Sequence, residues 1–142
     1  MKQVEFHYNV ADKLAYSCRL LRKVVGRDLR AVVVGDETTL QALGLALWSL
    51  GPTEFMAHCH ASAPASTLAA SPVWLCEHWP EGASHEVLLN LGHTVPGNIA
   101  QAQRYLEVVS THPDDVAAGR QRWRHFQSIG MTIERFDRQG QS

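Results

Sequence analysis

Residues 119–131, "GRQRWRHFQSIGM", carry three arginines and a histidine around a tryptophan and a phenylalanine, with no acidic residue among them. Guanidinium groups bind carboxylates and phosphates through paired N–H donors, and aromatic rings bind apolar side chains or nucleobases. The stretch therefore has the residue types of a recognition site for an anionic partner. None of these residue types in this pattern indicates a reaction.

A helical arrangement of this stretch sorts its side chains by face. One apolar stripe must then pack on a sheet, and it contains Val116, Gly119, Trp123 and Phe126. Arg120 and Arg124 are i,i+4 neighbours on one edge of this stripe with Gln127 beside them, whereas Arg122 lies on the opposite flank. Two guanidinium groups at the rim of an apolar patch suit a ligand with a carboxylate and a hydrophobic side chain. The alternative is a solvated helix edge whose arginines pair with nothing or with local acidic residues.

Direct binding to single-stranded nucleic acid is a competing hypothesis, because arginines and aromatic residues also contact phosphates and bases. The whole chain has 13 Lys+Arg against 14 Asp+Glu, a net charge of −1, so any basic surface is local. Two arginines neutralise few phosphates, and such binding would be weak and sensitive to salt. An acidic peptide fits the patch better.

A second stretch, "ALWSLGPTEFMAH", places Trp48 at the end of a helix and Phe55 after a Gly-Pro turn. Large aromatic residues beside a chain reversal usually belong to the core. The alternative is that they anchor a partner protein, a role in which tryptophan is enriched.

Sites for catalysis, nucleotides or metals have little support in the sequence. The turns after the first two strands are "YNVADK" and "VVGDETT", which lack the glycines of a phosphate-binding loop, so a nucleotide-using α/β enzyme is only an alternative. His58, Cys59 and His60 have no second Cys/His pair at zinc-site spacing. No G-x-S-x-G turn is present. We therefore expect neither a cofactor nor a catalytic residue.

The elements that must position these residues alternate between strands and helices. The pattern predicts a first strand in "QVEFHYNV", a helix from Ala11 to about Val25, an interior strand in "RAVVVG" and a helix capped by Asp36. Further strands are expected in "VWLC", "EVLLNL", "YLEVVS" and "MTIERF", with a helix from Pro113 to near Gly130 and a short helical turn in "GNIAQAQ". This order predicts an α/β fold: a Rossmann-like three-layer domain with a largely parallel central sheet flanked by helices.

Length and composition agree with one domain over residues 1–142, whose last residues, from about 138 to 142, are a candidate disordered end. Three widely spaced cysteines, Cys18, Cys59 and Cys76, argue against a disulfide framework and are interpreted as small buried residues. The chain has neither a signal-peptide pattern nor an apolar run of membrane-spanning length. We expect a soluble protein of the cytoplasm.

In the order of its motifs the chain resembles the chi subunits of bacterial DNA polymerase III. The similarity runs from "VEFHY", "DKLAYSCRLLRKV" and "RAVVVGDE", through "ALWSLGPTEFMAH", "PVWL", "EVLLNL" and "EVVS", to "RQRWRHFQSIGM". The most specific pieces are the spacing from Leu47-Trp48 to Phe55 and His58, and the late run of arginines and aromatics.

The resemblance implies a replication adaptor without catalysis that contacts DNA only indirectly. It implies that the face around Trp48 and Phe55, with Leu47 and Met56, binds the psi subunit of the clamp-loader assembly or a DNA-repair helicase. The late basic helix would receive the acidic, Phe-terminated C-terminal tail of single-stranded DNA-binding protein. The residues expected to contact this tail are Arg120, Trp123, Arg124 and Gln127.

Overall fold

The computed structural model describes residues 3–48, 58–60, 71–80, 83, 85–97 and 102–139. The strands in chain order are β1 Gln3–Val10, β2 Ala31–Val34, β3 His58–His60, β4 Val73–Cys76, β5 Val87–Asn90, β6 Arg104–Ser110 and β7 Ile133–Asp137. The helices are α1 Lys13–Gly26, α2 Glu37–Trp48 and α3 Pro113–Ser128. The predicted helical turn in "GNIAQAQ" falls mostly outside the described residues.

These strands form a sheet in the order β3-β4-β2-β5-β6-β1-β7, and every paired neighbour in it is parallel. The prediction of a largely parallel α/β sheet is confirmed. All four residues of β2 are buried, and β2 lies inside the sheet between β4 and β5, as its uninterrupted valine run predicts. At one edge, β7 pairs with β1.

The helices cover both faces of the sheet. On one face, α1 and α2 bury Leu21, Val24 and Leu43 against β2, β5 and β6. On the other face, α3 buries Phe126 against a separate apolar cluster that includes Val4 and Phe6 of β1. The fold thus has the three layers expected from the alternating strand and helix patterns.

Local signals in the sequence explain where α1 and α2 begin. Asp12 Oδ1 accepts a hydrogen bond from the Ala15 N–H at 3.0 Å, and Asp36 Oδ1 accepts one from the Thr39 N–H at 2.7 Å. The structure places the start of α1 two residues later than the pattern predicts and its end one residue later, at Gly26. Helix ends commonly shift by this much because capping, not periodicity, fixes them.

The cysteine side chains and the C-terminal end are described in part. Cys18 and Cys76 are buried, as interpreted from the sequence, whereas the side chain of Cys59 lies outside the description. Near the C-terminus, the Arg138 N–H donates to the Tyr8 carbonyl at 2.9 Å, and residues 140–142 lie outside the described part. None of the described helices is both long and apolar enough to cross a membrane.

Candidate functional site

Helix α3 carries most of the residues singled out from the sequence, and its first turn is held firmly. Pro113 opens the helix, and His112 Nδ1 accepts from the Asp114 N–H at 3.2 Å. Asp115 accepts from the Ser110 N–H at 2.7 Å and from Lys13 Nζ of α1 at 2.9 Å. Burial raises the pKa of Asp115, but these donors outweigh burial and hold it below the usual value. The start of α3 is therefore fixed to both β6 and α1.

The middle of α3 approaches β6 very closely at Gly119. A Cβ atom at this position would lie 2.9 Å from Val109 Cγ2 and 3.1 Å from Val109 Cγ1, so only glycine fits without displacement. The helix ends at Ser128, Gly130 two residues later has a φ of +78° that favours glycine, and the Met131 N–H donates to the Phe126 carbonyl at 3.0 Å. The predicted end near Gly130 is confirmed.

Arg122, on the flank of α3 opposite Arg120, is only 2% exposed and lies beneath the helix. Its Nε atom donates to both carboxylate oxygens of Glu107 at 2.8 Å, and its Nη1 atom donates to the His93 carbonyl at 2.9 Å. Nη2 is buried and has no hydrogen-bond partner among the described residues. The sequence placed Arg122 on this flank but did not predict its burial or its ion pair with Glu107.

Further polar side chains complete a buried polar cluster, which consists of Asn90, Tyr105, Glu107 and Arg122. The Tyr105 hydroxyl donates to Glu107 Oε2 at 2.6 Å, and Asn90 Nδ2 donates to the tyrosine oxygen at 2.6 Å. Burial, reinforced by the adjacent Glu107 carboxylate, raises the pKa of Tyr105, so the hydroxyl stays a donor. The sequence signal that could have revealed this cluster is the glutamate inside the otherwise apolar strand "YLEVVS".

On the opposite flank of α3 a groove runs between the helix and β7, with β1 and the end of β6 as its floor. Its volume is about 430 Å³. This α3–β7 groove is lined by Phe6, Tyr8, Asn9, Val109, Ser110, Val116, Gly119, Arg120, Trp123 and Arg135. The Phe6 and Trp123 rings meet edge to face with centroids 5.1 Å apart, which fixes the indole against the floor. The groove therefore combines a fixed aromatic and aliphatic floor with two guanidinium groups.

The predicted site residues of α3 do not all enter this groove. Arg120 and Trp123 line it, whereas Arg124 and Gln127 are exposed and are not among its lining residues. Arg124 therefore does not line the groove with Arg120, and the joint binding of a carboxylate ligand by these two arginines stays a prediction. Arg135 of β7, which the sequence did not single out, lines the groove instead.

The second predicted region, at the end of α2, is described only in part. Trp48 is 68% exposed, so the interpretation of this residue as core is wrong. Leu45, one turn earlier, is 70% exposed and was missed by the sequence reasoning, while Leu47 is fully buried. Phe55 and Met56 lie outside the described residues. The described end of α2 thus presents an exposed apolar pair, Leu45 and Trp48, on one helix face.

Across the described ranges, no group of three or more His, Cys, Asp or Glu side chains could hold a metal ion. His58, Cys59 and His60 form the short edge strand β3, and their side chains lie outside the description.

The chain is similar to known proteins of one family. Residues 1–134 match the family model described as "DNA polymerase III chi subunit, HolC". The DNA polymerase III subunit chi of Pseudomonas aeruginosa is 26% identical over 139 residues, which cover 94% of this chain and 95% of that protein.

Solved structures of low sequence identity share the fold. Two structures of the C-terminal domain of the DEAD-box protein Dbp5, one of them from S. cerevisiae and bound to Gle1 and IP6, superpose with a TM-score of 0.61. Each is 11% identical, with 96% of this chain and 90% of the other covered. At this identity the likeness concerns only the arrangement of strands and helices.

Proposed function

The chain belongs to the DNA polymerase III chi subunit family, and from that premise we propose that it is a non-catalytic adaptor. It links the clamp-loader complex, through a psi subunit, to the acidic C-terminal tail of single-stranded DNA-binding protein. It would act in the cytoplasm on DNA that this second protein already coats. The single observation that carries the proposal is the α3–β7 groove, in which arginines border an apolar floor.

The groove supports the tail-binding part of the proposal through its chemistry. A tail that ends in phenylalanine presents a ring and a terminal carboxylate on the same residue. The floor around Trp123 offers aromatic and aliphatic surface for the ring, and Arg120 offers paired N–H donors for the carboxylate. Arg120 forms no ion pair with any described residue, so binding would not have to break an ion pair within the described part of the chain.

Arg124 and Gln127 are expected to contribute less to tail binding than Arg120. Both are exposed on α3 outside the groove, where a charge contact is well solvated and worth little. We expect them to contact only tail residues that lie before the terminal segment.

The exposed end of α2 supports the proposed psi-binding face. Leu45 and Trp48 project from one face of the helix, and exposed apolar pairs of this kind are typical of protein interfaces. Leu47 would contribute by packing beneath the face, because it is fully buried. Phe55 and Met56 are proposed for this face from the family resemblance. A DNA-repair helicase is a further proposed partner there.

Titration of an acidic nonapeptide that ends in phenylalanine, by calorimetry at low salt, tests the tail site. Wild type is expected to bind, and Arg120→Ala to bind at least about tenfold more weakly, because a charge-assisted hydrogen bond contributes about 1.5–3 kcal/mol. Amidation of the peptide's C-terminus should weaken wild type by a similar factor. Arg27→Ala is the matched control, since Arg27 is exposed at the end of α1 on the other face of the sheet.

Two results would contradict the tail-binding proposal. One is no binding by wild type, and the other is equal binding by wild type and Arg120→Ala. A single-stranded oligonucleotide measured in parallel decides the competing function. Affinity for it above that for the peptide, with a steep loss as salt rises, would favour direct nucleic-acid binding.

The psi face has its own test, co-purification with psi expressed from the same bacterial genome. Trp48→Ala is expected to abolish or strongly reduce recovery of the complex, because an exposed tryptophan in an interface is a common energetic centre. Arg120→Ala should leave recovery unchanged. Full recovery with Trp48→Ala would remove this residue from the proposed face.

A further inference from the structure

The wall of the α3–β7 groove opposite Arg120 comes from β7. In the parallel register between β1 and β7, Arg135 pairs with Phe6, a floor residue of the groove. Side chains alternate between the two faces along a strand. Ile133 packs into the cluster under α3, while the Phe136 ring stacks on His7 on the other face, with centroids 4.6 Å apart. Arg135 is therefore on the α3 face.

Arg135 is also available for a ligand. It is exposed, lines the groove and forms no ion pair with any described residue. The acid before it, Glu134, accepts a hydrogen bond from Gln3 Nε2 at 3.2 Å on the other face. Asp137, which shares the face of Arg135, accepts from Asn9 Nδ2 and from the Gln139 N–H, each at 3.0 Å. The two acidic residues near Arg135 in β7, Glu134 and Asp137, thus accept hydrogen bonds from residues other than Arg135.

We propose that Arg135 is a specificity-determining residue of the tail-binding site, and that it, not Arg124, is the second cation that acts with Arg120. This inference rests on the proposed function. The occupant is an extended acidic peptide ending in phenylalanine, because the groove supplies positive charge on two walls and an apolar floor between them. Arg120 takes the terminal carboxylate, and Arg135 takes the carboxylate of an acidic residue just before the terminal phenylalanine.

The position of Arg135 makes it more effective than Arg124. A guanidinium on the groove wall meets its carboxylate beside an apolar floor, where less water screens the pair. Arg124 projects from the exposed side of α3 outside the groove, where solvent and salt screen its charge. Equal charges on the two residues should therefore have unequal effects on binding.

The experiment compares Arg135→Gln with Arg124→Gln in the full chain, with the acidic Phe-terminated nonapeptide as the probe. Arg135→Gln is expected to weaken binding about 5- to 20-fold at low salt, and Arg124→Gln less than about 2-fold. Glutamine keeps much of each side chain's length while removing its charge. Thermal unfolding of both variants should match wild type, since both residues are exposed.

A double-mutant cycle identifies the peptide group that Arg135 contacts. Asp→Asn substitutions are made one at a time in the peptide, before its terminal phenylalanine, and each should weaken binding to wild type. At the peptide position that Arg135 contacts, the substitution should have little added effect on binding to Arg135→Gln. A purely structural role of Arg135 would leave the effects of all these substitutions additive.

The possible outcomes separate this inference from the function on which it rests. If wild type does not bind the peptide, both are overturned. If wild type binds and Arg120→Ala does not, but Arg135→Gln binds as wild type, the tail site stands and the role of Arg135 is overturned. A larger loss of peptide binding with Arg124→Gln than with Arg135→Gln would identify Arg124 as the second cation and would also overturn the inference.

Discussion

Arg120 and Arg122 lie two residues apart on α3, yet their surroundings are opposite. Arg120 is exposed on the wall of the α3–β7 groove, whereas Arg122 is 2% exposed in the buried polar cluster with Glu107. The difference shows that one helix can expose an arginine on one flank, where we propose that it binds a partner, and bury an arginine on the other flank, where it pairs with a strand of the sheet. The two flanks can therefore be separated by mutation.

The largest expected effect is at Arg122. Arg122→Met should lower the free energy of unfolding by about 3–5 kcal/mol, because Glu107 would remain fully buried without its counter-charge. Urea denaturation followed by fluorescence measures this change. The double variant Arg122→Met, Glu107→Leu should recover part of the loss, since it removes the stranded charge. A loss below about 1 kcal/mol in the single variant would contradict the proposed role of the cluster.

A buried polar residue outside the cluster sharpens the comparison. His85 is 2% exposed, packs on Trp74 with ring centroids 4.2 Å apart, and has no hydrogen-bond partner for either ring nitrogen among the described residues. Burial, with a smaller contribution from Arg30 and opposed by Glu86, lowers the pKa of His85 to about 4. Unlike Arg122, this residue is therefore neutral in the folded protein at pH 7.

The pH dependence of stability follows from that depressed pKa. Between about pH 6.5 and 4 the unfolded state binds a proton at His85 that the folded state does not, so stability falls as pH falls. The loss should reach about 3 kcal/mol at pH 4. His85→Leu should lack this component in urea denaturation at pH 7 and pH 4, whereas His78→Gln, at an exposed position, should keep it. The same acid sensitivity in His85→Leu as in wild type would contradict this prediction.

Gly119 lies between the two flanks, because its missing side chain lets α3 approach Val109 of β6, and a Cβ there would also contact Arg122 Nη2 at 3.7 Å. Gly119→Ala should lower the free energy of unfolding by about 1–2 kcal/mol, since the new methyl group would overlap Val109 Cγ2. Displacement of α3 should also weaken peptide binding in the groove. Gly26→Ala is the control, because its Cβ would meet no atom within 4 Å. Equal stability of Gly119→Ala and wild type in thermal unfolding would show that the helix can shift at no cost.

The smallest effects are expected at the exposed arginines. Glutamine at Arg120, Arg124 or Arg135 should change the free energy of unfolding by less than about 0.5 kcal/mol, because none of the three forms an ion pair with a described residue. Chemical denaturation checks each variant. A fall in the free energy of unfolding above about 1 kcal/mol for any of these variants would mean that these arginines also stabilise the fold. Binding and stability could then not be separated by mutation.

Periodicity predicted much of the fold. The valine run of β2, the alternation in β1 and the apolar stripe of α3 led to the correct elements, since burial of one face imposes these patterns on a sequence. The exposure of Trp48 was not predicted in the same way. A tryptophan near a chain reversal suits both a core and an interface, and only the packing of α2 on the sheet separates the two.

The sequence by itself determined the order of strands and helices, the face of α3 that packs on the sheet and the excess of arginines on that helix. The tertiary structure decided which arginine is buried and which arginines line the α3–β7 groove. A helical wheel gives the directions of Arg120 and Arg122 around α3, but it does not give the residues of the sheet that these side chains meet. Glu107 stands opposite Arg122 because α3 packs over β6, and Arg135 joins Arg120 because β7 returns beside β1. Contacts between residues distant in the chain set burial and charge pairing, and these contacts exist only after the sheet has formed.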